Sequence, residues 1–171
     1  MLAVGAHASL DGYAKGGHQG LLLGAGWEGP SLRFRLQVLA GLPARLRDER
    51  TQVTLGQYSA ALWADLPVAS TGALELSAGL GAGVVGFSRR TEALAPEVDA
   101  EPSRIIPALL VGPELSARWN AGSRLAFEAS FAGELLLGRP ALGYAVDGNL
   151  VSRGDGWAVR PRVGLALVLF P

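Results

Sequence analysis

The 171-residue chain has no cysteine, one lysine (Lys15) and two histidines, and its 15 Lys+Arg balance 15 Asp+Glu. Absent cysteine excludes disulfides, thiolate metal sites and cysteine nucleophiles. Two histidines are too few for a histidine-based metal centre, so neither metal nor cofactor is expected. With zero net charge there is no basic face of the kind nucleic-acid binders carry, and no nucleic-acid partner is expected. No run of 18 apolar residues occurs, so no transmembrane helix is expected. The first residues, from Met1 to His7, lack the basic stretch and cleavage site of a signal peptide. The expectation is one domain over 1–171, the mature form or C-terminal part of a longer precursor, with an N-terminus able to carry a periplasmic domain. Charged residues are scarce, at 18% against roughly 25% in soluble domains.

What is abundant is glycine, with 24 residues, and an alternation of period two, the signature of two-faced strands. Three stretches show it most clearly. Over 31–42, Leu32, Phe34, Leu36, Val38, Ala40 and Leu42 share one face, and Arg33, Arg35 and Gln37 the other. Over 124–137, Leu125, Phe127, Ala129, Phe131 and Leu135 oppose Arg124, Glu128 and Glu134. Over 157–169, Trp157, Val159, Val163, Leu165, Leu167 and Leu169 oppose Arg160, Arg162 and Gly164. Weaker copies at 2–11, 19–28, 53–66, 73–87 and 109–119 make eight strands. Leu55, Tyr58, Leu62 and Leu66 also fit helical spacing, which leaves a helix as the alternative for the fourth. Pro107, Pro113 and Pro161 fall inside strands and mark bulges, strand starts or broken ladder bonds.

The connections alternate long and short. Segments 12–18, 43–51, 88–104 and 138–156 are medium to long, and 29–31, 67–72 and 120–123 are short. An up-and-down meander places all long connections at one end and all short ones, with both termini, at the other. The polar face is mostly Gly, Ala and Ser with a few charges, whereas a water-facing strand surface carries Lys, Thr, Gln and Glu in quantity. Small residues suit the cramped interior of a narrow barrel. Seven acids (Asp11, Glu28, Asp65, Glu75, Glu114, Glu128, Glu134) then face six bases (Arg33, Arg35, Arg118, Arg124, Arg160, Arg162) as a lumen charge network. Enclosed ions need such pairing. Ordinary surface charge on a soluble, lipocalin-like ligand-binding barrel with the faces inverted is the alternative. Trp27 and Trp119 fall on the apolar face at the short-turn end. Trp157 lies at the long-loop end, near Tyr13 and Tyr144. Aromatic girdles of this kind mark both interfaces of a membrane barrel. Trp63 breaks the pattern by falling on the inner face.

In these patterns the chain resembles the small bacterial outer-membrane β-barrels of the OmpA transmembrane-domain and OmpX class. The resemblance implies an all-β, eight-stranded antiparallel up-and-down transmembrane β-barrel, with short turns in the periplasm and long loops outside. It also implies a setting of outer-membrane lipid and lipopolysaccharide, and insertion by the barrel-assembly machinery, which reads an alternating last strand ending in an aromatic. Here Val163, Leu165, Leu167 and Leu169 alternate, while Pro171 takes the last place and puts Phe170 on the opposite face.

Three constellations carry candidate chemistry. His7, Ser9 and Asp11 share one face at i, i+2 and i+4, the residue types of a base, a nucleophile and an orienting acid. His7-Ala8-Ser9 resembles the His-x-Ser pair of outer-membrane lipid A deacylases and implies a lipid-modifying enzyme. The plain reading is polar lumen residues near the first loop. Glu114 and Glu128 face each other in one register of their hairpin, with Arg118 and Arg124 beside them, which reads as a charge plug or as the lining of a narrow, porin-like pore. Gly24, Gly26, Gly79, Gly81 and Gly83 lack the Lys-Ser/Thr of a phosphate loop and read as room for bulkier lumen neighbours. In the loops, Arg45, Arg47 and Arg50 mix with Asp48 and Glu49. Arg89 and Arg90 precede Glu92, Glu97, Asp99 and Glu101. Guanidinium groups at the rim can bind lipopolysaccharide phosphates bidentately, and long loops are where a surface ligand binds. The leading expectation is a non-enzymatic barrel with a plugged polar lumen and a structural, anchoring or surface-interaction role.

Overall fold

The computed structural model describes residues 1–96, 98–99, 102–146 and 149–171, with side chains outside 99, 143–146 and 149–155. Among the expected loop residues, Glu97 and Glu101 lie outside the described residues, as do the side chains of Asp99 and Tyr144. The strands are β1 (Leu2–Ser9), β2 (His18–Glu28), β3 (Arg33–Gly41), β4 (Ala44–Arg47), β5 (Thr51–Thr71), β6 (Leu74–Ala93), β7 (Val98–Asp99), β8 (Arg104–Asn120), β9 (Leu125–Leu137), β10 (Ala141–Val146), β11 (Asn149–Asp155) and β12 (Val159–Leu169).

Eight of these form one antiparallel sheet in the order β3-β2-β1-β12-β9-β8-β6-β5, and pairing of β3 with β5 closes it into a barrel. Closure removes the sheet edges, so the strands pair with one another and not with water. The short turns lie at residues 29–32, 72–73 and 121–124, at the same end as both termini. Gly72 takes a positive φ of 56° at the first position of the two-residue turn between Thr71 and Leu74, the conformation that primed hairpin turns require.

Several strands run beyond the expected limits. β5 has 21 residues, β6 has 20 and β8 has 17. A tilted strand needs about 9–11 residues to cross a bilayer, so these hairpins stand well clear of the apolar band. The charged segment after β3, read in sequence as a loop, is partly a strand: β4 continues beside β5, with Arg45 opposite Thr54 and Arg47 opposite Gln52. Its backbone uses ladder positions on β5 that β3 leaves open. The fourth crossing is a strand and not a helix. Leu55 is buried while Tyr58, Leu62 and Leu66 point outward. Within the longest connection β10 pairs with β11, and it also pairs with β7 of the connection between β6 and β8. Pro113 interrupts the β8–β9 ladder, whose pairing stops after Val111–Leu135 and resumes at Glu114–Ala132, because proline has no N–H to give.

The two faces settle the orientation. Leu21, Leu23, Leu36, Leu62, Leu80, Leu115, Phe131, Val163 and Leu165 are all exposed on the outside. Arg33, Arg35, Asp65, Glu114, Arg118, Glu128, Glu134, Arg160 and Arg162 are all buried inside. A wall of exposed aliphatic side chains around buried charges suits lipid, not water. This arrangement excludes the soluble barrel with inverted faces.

Candidate functional site

Two groups of side chains fill the interior. From the short-turn end upward, the first is a continuous chain of ion pairs. Arg118 donates from Nη1 to Glu28 Oε1 (2.7 Å) and from Nε to Glu128 Oε2 (3.2 Å). Glu128 also accepts from Arg35 Nη1 (2.8 Å) and Arg33 Nη1 (3.3 Å). Arg33 reaches Ser116 Oγ at 3.0 Å and lies 3.9 Å from Glu75, whose side chain is partly open at the rim. Arg35 binds Asp65 through two nitrogens and also donates to Glu114. Glu114 accepts from Arg162 Nη2 at 2.8 Å, and Arg162 Nε donates to Glu134 at 2.7 Å. Glu134 accepts from Arg160 Nε at 2.8 Å, and Arg160 Nη1 reaches Gln57 Oε1, also at 2.8 Å. Gln57 donates to Asp11. Glu128, shared by β3 and β8, and Glu114, shared by β3 and β12, tie the wall together across the lumen.

Beside the upper part of this chain lies an apolar cluster. Leu55, Trp63, Val85, Phe87, Ala108, Leu110, Ala132, Leu136 and Leu142 pack together in the long-loop half, and Tyr13, Leu46 and Ile106 close over them. Trp63 joins the cluster to the ion pairs: Arg162 Cζ sits 5.4 Å from its ring centroid. A void of about 10 Å³ lies inside the barrel, bordered by Arg35, Gln37, Glu128 and Ser130. That is the room of about one water molecule.

Arg124 does not join the lumen. It is exposed in the turn at 121–124, one residue before β9 begins at Leu125, and inside-outside alternation has no hold on a turn residue. Glu114 and Glu128 do not face each other across their hairpin, because the register sets Glu114 opposite Ala132 and Glu128 opposite Arg118; Arg35 donates to both. Trp27 and Trp119 are exposed at the short-turn end, where Trp119 stacks on Phe127 at 5.7 Å, and Trp157 is exposed at the other end. Phe170 faces the lumen mouth, with Arg118 Cζ 5.4 Å from its ring centroid.

His7, Ser9 and Asp11 all point inward and are buried, but Asp11 does not serve His7. Asp11 Oδ2 lies 2.8 Å from Nδ1 of His18, and its Oδ1 accepts the Tyr13 backbone N–H at 3.0 Å. Burial alone would raise the Asp11 carboxyl. The hydrogen bonds from His18, Gln57 and Tyr13 outweigh it and hold the group below its ordinary range. His18 was not singled out in the sequence. The β1–β2 register, which sets it opposite Ser9, is what brings it to Asp11.

At the long-loop rim, Tyr13 Oη donates to Pro140 O at 2.5 Å, Arg139 Nε to Gly156 O at 2.7 Å, and Trp157 N to Asp11 O at 2.6 Å. The first and third of these bonds fasten the longest connection to the first loop, and the second ties that connection's two ends together. Between the first loop and β4 opens a cleft of about 470 Å³.

No family model and no curated protein matches the chain. Among solved structures, the fold is similar to that of Neisserial surface protein A, NspA (11% identity, 99% of this chain and 96% of that one covered, TM-score 0.67). It is also similar to Ail, the attachment invasion locus protein of Yersinia pestis, solved with the heparin analogue sucrose octasulfate (15% identity, 98% and 95% covered, TM-score 0.53). At such identities the likeness is one of fold. The chain is an eight-stranded antiparallel up-and-down barrel with a lipid-facing exterior, the architecture of the small outer-membrane barrels.

Proposed function

We propose that the protein is a closed, non-conducting barrel of the bacterial outer membrane, an anchor that holds its long-loop end at the cell surface. One observation carries this reading: among the described residues, ion pairs and a packed apolar cluster fill the lumen side by side, around a void of about 10 Å³. A hydrated ion has no path through such packing. The apolar exterior and the shared fold support the outer-membrane setting, where lipopolysaccharide and other lipid surround the wall and the barrel-assembly machinery inserts it. Trp27, Trp119 and Trp157 mark the two interfaces in this reading.

Engagement of Asp11 by His18 and Gln57, away from His7, favours a structural over a lipid-modifying role for the His7–Ser9–Asp11 group. The test is planar-bilayer recording of the refolded protein. A silent bilayer at neutral pH is expected. Discrete conductance steps would overturn the closed reading and establish the narrow pore.

A further inference from the structure

The cleft at the long-loop mouth differs in charge from everything beneath it. Lumen arginines Arg33, Arg35, Arg118, Arg160 and Arg162 each hold a carboxylate. Lys15, Arg45 and Arg47, which line the cleft, form no ion pair among the described residues. Among the described residues, the acids nearest the cleft have other partners or lie in an exposed turn. Asp11 turns down to His18. Asp48 accepts the backbone N–H groups of Arg50 and Thr51. Glu49 is exposed in the turn that follows β4.

Arg45 and Arg47 are two apart on one strand, so they share a face about 7 Å apart, and Lys15 approaches from the first loop. The floor is apolar: Leu142 belongs to the buried cluster, and Tyr13 and Leu46 pack on it. A volume of about 470 Å³ is in the range of small-ligand sites, roughly 300–1,000 Å³. Bare phosphate would leave most of that space and all of the floor unused. A sugar ring offers an apolar C–H face to the floor, and its phosphate esters offer the oxygens that guanidinium groups bind in pairs.

We propose that this cleft binds a phosphorylated sugar, with Arg45, Arg47 and Lys15 on the phosphate oxygens and the ring over Tyr13, Leu46 and Leu142. The proposal rests on the reading that places the long-loop end outside the cell. The same chemistry has two sources there: the phosphorylated sugars of lipopolysaccharide, or a free sugar phosphate.

The test uses the full chain folded in uncharged detergent micelles, with heat-dependent gel mobility as the folding control. Binding isotherms are recorded with glucose 6-phosphate, glucose, and lipopolysaccharide before and after phosphatase treatment. Binding about tenfold weaker is expected for the dephosphorylated lipid and for the exposed-residue variant R45Q/R47Q, with a smaller loss for K15Q. Phosphate- and arginine-dependent binding of glucose 6-phosphate as strong as that of lipopolysaccharide assigns the soluble source. Binding of lipopolysaccharide alone assigns the lipid. Binding of neither phosphorylated probe, equal binding of glucose, or indifference to R45Q/R47Q overturns the proposal. A silent bilayer together with failed binding would sink this site and leave the closed barrel standing.

Discussion

Arg35 and Asp65 meet across the seam that closes the barrel. Arg35 Nε lies 2.6 Å from Asp65 Oδ2 and its Nη2 lies 2.8 Å from Oδ1, while β3 and β5 carry the closing ladder on which both residues sit. Asp65 also accepts from Arg33 at 3.1 Å. Removing its charge leaves two buried guanidinium groups short of a partner. Asp65→Asn is expected to cost about 3–5 kcal/mol, read as a lower urea midpoint for unfolding from lipid vesicles. An unchanged midpoint would mean that the seam does not depend on this pair.

The exterior makes the opposite demand. Leu165 is 67% exposed near the middle of β12, where the wall meets lipid rather than water. Leu165→Arg is expected to destabilise the folded state by about 2–4 kcal/mol in vesicles. A neutral or stabilising effect would indicate that this face is solvated.

Acid acts through the rim. The Asp11 carboxyl lies below its ordinary value, so its contribution to stability is complete above about pH 5 and fades as the pH falls through the carboxylate range. Asp11→Asn should therefore lower the unfolding midpoint at neutral pH and flatten its decline on acidification. A variant whose acid dependence matches the wild type would remove Asp11 from that role.

Gly81 stands opposite Trp63 on adjacent strands, and a Cβ at Gly81 would run into the indole ring. Gly81→Val is expected to cost about 1–3 kcal/mol by overpacking. The cost should shrink in a Trp63→Ala background, since the double change removes the collision. Equal costs in both backgrounds would separate the two positions.

The barrel was legible because lipid on one side and a packed interior on the other force a strict period of two. Leu125 to Leu137 alternates almost without fault. The same logic fails wherever lipid is absent. Residues 67–71 and 88–93 stand beyond the band, so their alternation is lost and they read as loops although they are strands; 44–47 alternates over four residues only, too short a stretch to stand out. Arg124 shows the converse error, a periodic rule carried one residue past a strand end. The charge network was readable as a composition of one face, but its pairings were not, since sharing of Glu128 by Arg33, Arg35 and Arg118 depends on barrel curvature. The apolar cluster escaped notice because Leu55, Val85, Phe87 and Leu136 sit in phase with the polar residues. Their signal was the interruption of that polar face by large hydrophobics. The glycines opposite bulk were legible in kind, and Gly81 beneath Trp63 is the instance the structure displays.

The orientation of the two faces is what everything else depends on, and refolding from urea with and without detergent micelles tests it most directly. The samples are compared unheated and boiled on a gel. Folding only when detergent is present, with a heat-dependent mobility shift, is the predicted result. Cooperative folding in plain buffer would mean that the apolar faces pack inward, and would contradict the membrane barrel outright.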